Sequence, residues 1–168
     1  MGSSLRADAA ISPVFMLLRP IPPLAWIPLA ILWLGLGDTA KIFVIWVAAF
    51  VPSVINTYAG VHTVDLTLQE AARVHGANRL VLLRDVLIPG SLPMIFTGLR
   101  LSLQASWTTL VAAELVGAFV GLGKVLSVAT LDIYPGMILY AMLWVGVLGA
   151  FMTKTLAWTE MRLLPWLR

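Results

Sequence analysis

Few residues in this chain have the types and spacing that catalysis or metal binding requires. The sequence has no cysteine, which excludes disulfides and thiolate metal sites. His62 and His75 have no partner at a metal-ligand spacing, and no Ser/His/Asp or Cys/His combination forms a credible nucleophile set. The run Gly121-Leu122-Gly123-Lys124 lacks the spacing of a phosphate-binding loop. We therefore predict no enzyme activity, no metal site and no cofactor bound by this chain.

The ionisable residues instead concentrate in one polar segment, residues 61–90. Besides the two histidines it contains Asp65, Glu70, Arg73, Arg79, Arg84 and Asp85. Such a segment is too polar to cross lipid, where each charged side chain is costly. Connections in compact proteins usually have about four to six residues. A much longer polar insert with helical periodicity therefore indicates a functional element.

An ordered pattern lies inside this segment: Glu70-Ala71-Ala72, three residues, Gly76, nine residues, and then Val86-Leu87-Ile88-Pro89. Small alanines on a helix face let another surface approach closely, and glycine permits the turn from one short helix into the next. Pro89 ends the second helix before the next apolar stretch. Glu-Ala-Ala alone favours an ordinary amphipathic surface helix. The complete pattern from Glu70 to Pro89, in a loop of a membrane protein, instead favours an element that docks on a partner.

Four apolar stretches predict the elements that position this segment. The chain is 60% hydrophobic and 11% charged, whereas soluble domains are about 45–50% apolar and about 25% charged. The stretches cover residues 21–36, 42–60, 92–120 and 133–153. We therefore predict an all-α, polytopic membrane helix bundle over residues 15–168, after a poorly structured start at 1–14. The net charge of +3, carried by scattered basic residues, argues against nucleic-acid binding.

Lysine and arginine collect in the cytoplasmic loops of membrane proteins, and this bias orients the spans. Placing segment 61–90 in the cytoplasm puts most basic residues there: Arg6, Arg19, Arg73, Arg79, Arg84, Lys154, Arg162 and Arg168. Lys41 and Lys124 then lie outside, and Arg100 lies within a span. Four spans in this orientation predict a multi-pass protein with both termini in the cytoplasm.

The third apolar stretch contains the candidates for a translocation path or gate: Arg100, Gln104, Trp107, Thr108 and Glu114. Ionisable residues inside lipid are costly, so each is a candidate for function. Arg100 has two interpretations, a snorkelling anchor or helix–helix bond, and an electropositive point on an anion path. Glu114 lies nearer the outer side. An acid suits interhelical contacts or a gate better than it suits an anionic solute.

The pattern around Gly76 resembles the EAA motif of binding-protein-dependent ABC importer permeases, with Val86 where isoleucine is usual. Further runs resemble the nitrate, sulfonate and taurine branch: Arg19-Pro20-Ile21-Pro22-Pro23, Asn56-Thr57-Tyr58-Ala59-Gly60, Pro89-Gly90-Ser91-Leu92-Pro93 and Trp107-Thr108-Thr109-Leu110-Val111-Ala112-Ala113-Glu114. The similarity covers about residues 15–168. It implies a type I ABC importer permease-like fold with a cytoplasmic coupling helix pair in loop 61–90. The coupling residues that it implies are Glu70, Ala71, Ala72, Gly76, Val86, Ile88 and Pro89.

The same resemblance implies a transmembrane subunit of an ATP-driven importer in the bacterial inner membrane. Its implied partners are a cytoplasmic subunit that hydrolyses ATP, a periplasmic or lipid-anchored solute-binding protein, and a second permease chain in a homodimer. The implied solute is an alkanesulfonate, taurine or nitrate. Members of this family usually have six spans, and the first two have no counterpart here. A truncated or non-transporting assembly subunit of the family is therefore an alternative. An intramembrane enzyme is another, but it would need paired acids, a Ser/His pair or a metal set.

Overall fold

The computed structural model describes residues 13, 15–17 and 19–164, which form helices and connecting turns without a β-strand. In chain order the elements are a 3₁₀ turn (Pro23–Trp26), α1 (Ile27–Leu34), α2 (Asp38–His62), α3 (Leu66–Val74), a short helical turn (Arg79–Val81), a π-helix (Leu82–Leu87), α4 (Ile88–Gly117), α5 (Leu122–Leu131) and α6 (Pro135–Leu163). The all-α class predicted above is confirmed for these residues. The poorly structured start expected at 1–14 lies outside them, apart from Pro13.

Three helical runs in the described part of the chain are long and apolar enough to cross a membrane: Asp38–His62, Arg79–Gly117 and Pro135–Leu163. The prediction of four spans was therefore wrong for stretch 21–36. That stretch forms only the short apolar helix Pro23–Leu34, about 18 Å long, against a hydrocarbon core of about 30 Å. Pro22 precedes its first turn in an extended conformation, and Gly35, at φ +77°, ends it.

Helices α2 and α4 form the closest packing in the bundle, through small residues that face each other. A methyl group placed on Gly98 would lie 2.8 Å from Asn56 Cβ, and one on Gly60 would lie 2.8 Å from Met94 Cβ. Small residues at such contacts let helix backbones approach closely, which is how helices associate in lipid. A buried hydrogen-bonded pair adds to this contact. The Ser102 hydroxyl donates to the Ala49 carbonyl at 2.7 Å and lies 2.7 Å from Ser53 Oγ.

We expect Ser102→Ala to lower the free energy of unfolding by about 1 kcal/mol, the usual range for an interhelical hydrogen bond in a membrane protein. Unfolding in detergent by increasing SDS, followed by circular dichroism, measures this change. Ser106→Ala is the matched control, because its hydroxyl lies 3.5 Å from the Ile45 carbonyl and forms a much weaker bond. Equal losses in the two variants would contradict the assignment.

A small apolar core lies where α1 packs against α2 and α4. Its buried members are Ile27, Ala30, Ala40, Val44 and Ala113. The ring of Trp26 meets that of Phe43 edge-on, with centroids 6.3 Å apart. This contact holds the turn before α1 beside the N-terminal part of α2, even though α1 is too short to span. The two long helices α2 and α4 thus form the frame on which the functional segments are placed.

Candidate coupling segment and polar helix face

The polar segment folds as a helix–turn–helix whose first helix, α3, begins at a capping aspartate. Oδ1 of Asp65 accepts hydrogen bonds from the backbone N–H and the hydroxyl of Thr67, both at 2.8 Å. These two bonds, the backbone one first, hold the pKa of the Asp65 carboxyl below its ordinary value. The cap is thus complete at neutral pH and is lost only as the pH falls through that lowered pKa. The aspartate was an available sequence signal for this helix start.

The turn after α3 explains the glycine of the motif. Gly76 has φ +81°, in the left-handed region that only glycine adopts without strain. Its N–H donates to the Arg73 carbonyl and that of Ala77 donates to the Ala72 carbonyl, both at 3.0 Å. This pair of bonds is a Schellman motif, a common helix end that places glycine at the first residue past the cap. The Asn78 side chain then accepts from the Val81 N–H and starts the next helical turn.

The helix pair presents apolar side chains to solvent on both of its helices. Val74 is 86% exposed and Leu80 is 71% exposed. Other exposed apolar residues of the pair are Leu66, Leu68, Val81 and Leu83. Within the predicted motif, Glu70, Ala71, Gly76 and Ile88 are exposed, whereas Ala72, Val86 and Pro89 are half-buried. The predicted coupling residues are thus spread over α3, the turn at Gly76, the π-helix and the start of α4.

Buried leucines attach this helix pair to the membrane bundle. Leu82 and Leu87 are buried in the π-helix, and Val64 is buried just before α3. Leu87 therefore does not share the exposed stripe of Leu80 and Leu83. The prediction that Pro89 ends the second helix was wrong: the π-helix continues without a break into α4, with the Ile88 N–H donating to the Leu83 carbonyl five residues back. Proline cannot donate to the carbonyl four residues back, and its ring crowds that carbonyl. Pro89 thus favours the wider turn at this junction.

Polar side chains form a stripe along one face of α4. Thr97, Arg100, Gln104 and Thr108 are all exposed and recur at intervals of three or four residues, so they share a face about 16 Å long. Arg100 forms an ion pair with Glu160 of α6. Three of the predicted path residues are thus brought onto one face. Thr97 belongs with them and was not predicted, although its spacing from Arg100 was a usable signal.

Two other predicted path residues do not lie on that stripe. Trp107 is turned toward α6, where its indole N–H donates to the Val145 carbonyl at 3.2 Å. Glu114 lies at the other end of α4, where its Oε2 accepts the Gly123 N–H at 2.8 Å. The carboxylate thereby caps the N-terminus of α5, where a negative charge is favoured. In this structure Glu114 makes an interhelical contact.

Comparison with known proteins identifies the family of this chain. Residues 1–159 match the family described as binding-protein-dependent transport system inner membrane component. A probable ABC transporter permease protein of Brucella melitensis is 43% identical over 166 residues, which are 99% of this chain and 68% of that protein. The taurine transport system permease protein of Escherichia coli is 38% identical over 166 residues, again 99% of this chain but 60% of that protein. The nitrate import permease protein of Synechocystis is 35% identical over 165 residues, 98% of this chain and 60% of that protein.

The chain thus spans roughly 60–68% of the length of these relatives. All three are transport permeases, and none is an enzyme. The resemblance inferred from the motif around Gly76 is confirmed by the family match, and the three long apolar helices agree with a multi-pass protein of the inner membrane. The chain belongs to the family of binding-protein-dependent transport system inner membrane components, as a membrane permease component of an ABC transport system.

Proposed function

We propose that this chain forms part of the translocation path of an ATP-driven importer and couples that path to a cytoplasmic ATP-binding subunit. The observation that carries the proposal is the exposed apolar surface of the helix pair around Gly76, joined by a continuous helix to membrane span α4. A surface that exposes this many large apolar residues favours a protein partner over water. The ATP-binding subunit hydrolyses ATP, and the chain itself binds no cofactor.

The proposed coupling surface is segment 68–87, placed in the cytoplasm. Ala71 and Gly76 have small side chains or none, so a partner can approach the centre of this surface closely, while Leu80 and Val74 provide apolar contacts. Glu70 and Arg73 are exposed beside them and are suited to charged contacts at the rim. Because the π-helix and α4 continue this segment into the bilayer, displacement of the helix pair by nucleotide-driven closure would move α4 directly. This orientation places the C-terminal end of α6 in the cytoplasm. Because α1 is too short to span, the same orientation places the start of α2 on the outer side.

The proposed path follows the polar stripe of α4. Exposed polar groups on a membrane span are costly in lipid, so they are expected to face a water-filled cavity or another helix. The stripe carries several hydrogen-bonding groups and one cation, Arg100, which is paired with Glu160 and would bind an anionic oxygen group of a small solute only in exchange for that partner. Relatives are named for taurine, nitrate and bicarbonate. We therefore propose a small solute of the sulfonate, taurine or nitrate kind, with a second copy of this chain closing the path.

The outer loops are the proposed docking site for a periplasmic or lipid-anchored solute-binding protein. Residues 37–41 and 117–132 lie at the end of the bundle opposite the coupling segment. Helix α5, held by Glu114, forms much of this surface. The alternative, a truncated or non-transporting assembly subunit of the same family, would keep the ATP-binding subunit as a partner without stimulating its activity.

We expect Gly76→Glu to weaken binding of the ATP-binding subunit by about 30-fold, the effect of losing one central contact of an interface. Glutamate introduces a charge into the shallow centre of the surface, and its backbone is strained at φ +81°. Co-purification of the tagged chain with a co-expressed ATP-binding subunit measures the loss. ATPase stimulation in the same preparation separates a transport subunit from an assembly subunit.

Thr130→Glu is the matched control, since Thr130 is exposed on α5 at the opposite end of the bundle and receives the same charge. We expect it to retain the ATP-binding subunit. Circular dichroism and size-exclusion chromatography verify that both variants fold. Retained binding and stimulation in folded Gly76→Glu, or equal loss in the control, would contradict the proposed docking surface.

A further inference from the structure

The face of α6 that points away from the other helices carries two cations around a tryptophan. Lys154, Trp158 and Arg162 follow one another at four-residue intervals, so they lie on one face of the helix. All three are exposed. The Arg162 guanidinium lies over the Trp158 ring, 4.5 Å from its centroid. A cation held on an indole in this way is fixed in position.

The opposite face of α6 makes the contacts with the bundle. Ala141 is buried there, the Val145 carbonyl accepts from Trp107, and Glu160 pairs with Arg100. At 3.6 residues per turn these positions lie on the side opposite Lys154. The nearest acid on α6 is thus already paired and turned away from the two cations. Within the residues that the structure describes, neither Lys154 nor Arg162 has an acidic partner.

The position of this group along α6 corresponds to the lipid headgroups. Residues 135–153 contain no charge and extend for about 28 Å, close to the thickness of the hydrocarbon core. Lys154 therefore lies at the boundary of that core, and Trp158 and Arg162 follow in the headgroup layer. Tryptophan is enriched at this level of membrane proteins because its ring is apolar while its N–H is polar.

We propose that Lys154, Trp158 and Arg162 form a binding site for the phosphate of an anionic phospholipid. The two cations lie about one helical turn before and after the tryptophan, a spacing that fits one phosphate group and its glycerol backbone. Basic clusters beside membrane spans bind anionic lipid headgroups. The apolar residues Val147 and Phe151 are exposed on the preceding turns and offer a surface to the acyl chains. A second copy of the chain is a poorer occupant, because it would bury two unpaired cations. The proposal requires only that α6 spans the bilayer, so it does not depend on coupling to an ATP-binding subunit.

Native mass spectrometry of the full chain, purified in detergent with phosphatidylglycerol or phosphatidylcholine, tests this site. We expect phosphatidylglycerol to remain bound and phosphatidylcholine to dissociate. The double variant Lys154→Gln/Arg162→Gln should weaken phosphatidylglycerol binding by about 30-fold, at roughly fivefold for each cation near an anionic surface. Arg73→Gln/Arg79→Gln removes the same charge from the exposed coupling segment and should leave lipid binding unchanged.

Equal retention of the two lipids, or equal loss in both double variants, would overturn the proposal. Displacement of the lipid by millimolar inorganic phosphate would also overturn it, because the site would then recognise a free anion. Trp158→Phe provides a further measurement that disturbs folding little. It keeps an aromatic ring but removes the indole N–H and weakens the cation–π contact, so it should lower lipid retention partially. If the chain bound the ATP-binding subunit but showed no preference for the anionic lipid, this proposal would be wrong and the proposed function would be unaffected.

Discussion

Replacing Gly123 with alanine is expected to destabilise the fold by about 3 kcal/mol, at the upper end of overpacking effects. A methyl group at this position would overlap the Val111 carbonyl oxygen and lie 2.5 Å from Glu114 Cβ and 3.0 Å from the Leu115 nitrogen. Two of these atoms belong to the α4 backbone, which cannot move aside as a flexible side chain can. Helix α5 would have to shift away from α4, and the Glu114 carboxylate would lose its bond to the Gly123 N–H.

Unfolding by SDS in detergent, followed by circular dichroism, measures this loss of stability. Gly146→Ala is the matched control, because it makes the same change inside α6 where nothing lies within 4 Å of the added methyl group. Alanine is the better helix former by about 1 kcal/mol, so this variant should be unchanged or more stable. Similar unfolding of the two variants would contradict the close contact between α4 and α5.

Replacing Arg100 with glutamine is expected to cost about 2 kcal/mol, because the Glu160 carboxylate would lose its counter-charge. The Glu160 side chain is 22% exposed and that of Arg100 is 47% exposed. The expected loss is therefore smaller than the roughly 3–5 kcal/mol found when a fully buried pair is broken. The ion pair joins α4, about three turns after its start, to the C-terminal end of α6.

A double-mutant cycle isolates this interaction. We expect Arg100→Gln/Glu160→Gln to be more stable than the sum of the two single changes predicts, with a coupling energy of about 1–2 kcal/mol. The pair of Lys41 and Asp38, at 2.6 Å, is the control. The Asp38 side chain is 86% exposed, so Lys41→Gln should cost less than about 1 kcal/mol. Additive effects of the Arg100 and Glu160 changes would show that the ion pair does not stabilise this arrangement.

The helices that cross the bilayer were predictable because lipid imposes one strong requirement, a long apolar run. The apolar stretches 42–60, 92–120 and 133–153 correspond to α2, α4 and α6. Stretch 21–36 satisfied the same requirement by composition, yet its prolines and Gly35 limit the helix there to α1 and the turn before it. Composition alone therefore overestimated the number of spans.

The turn at Gly76 was also predictable from the sequence, because a helix end of this type depends only on neighbouring residues. A glycine after a helical run, followed by an asparagine, is sufficient to predict where one helix stops and the next begins. The sequence did not predict that the side chains of Val74 and Leu80 would be exposed to solvent. An apolar stripe looks the same in sequence whether it packs on the bundle or awaits a partner, as the burial of Leu87 beside the exposed Leu83 illustrates.

The sequence by itself determined that this is a helical membrane protein with a motif-bearing polar loop, since apolar composition and local turn chemistry are properties of neighbouring residues. Only the tertiary structure decided the partners of the charged groups within the bundle. Arg100 meets Glu160 sixty positions away, and Glu114 caps α5 after the chain reverses direction. Such pairings depend on how the helices are arranged in space, which neighbouring residues do not specify.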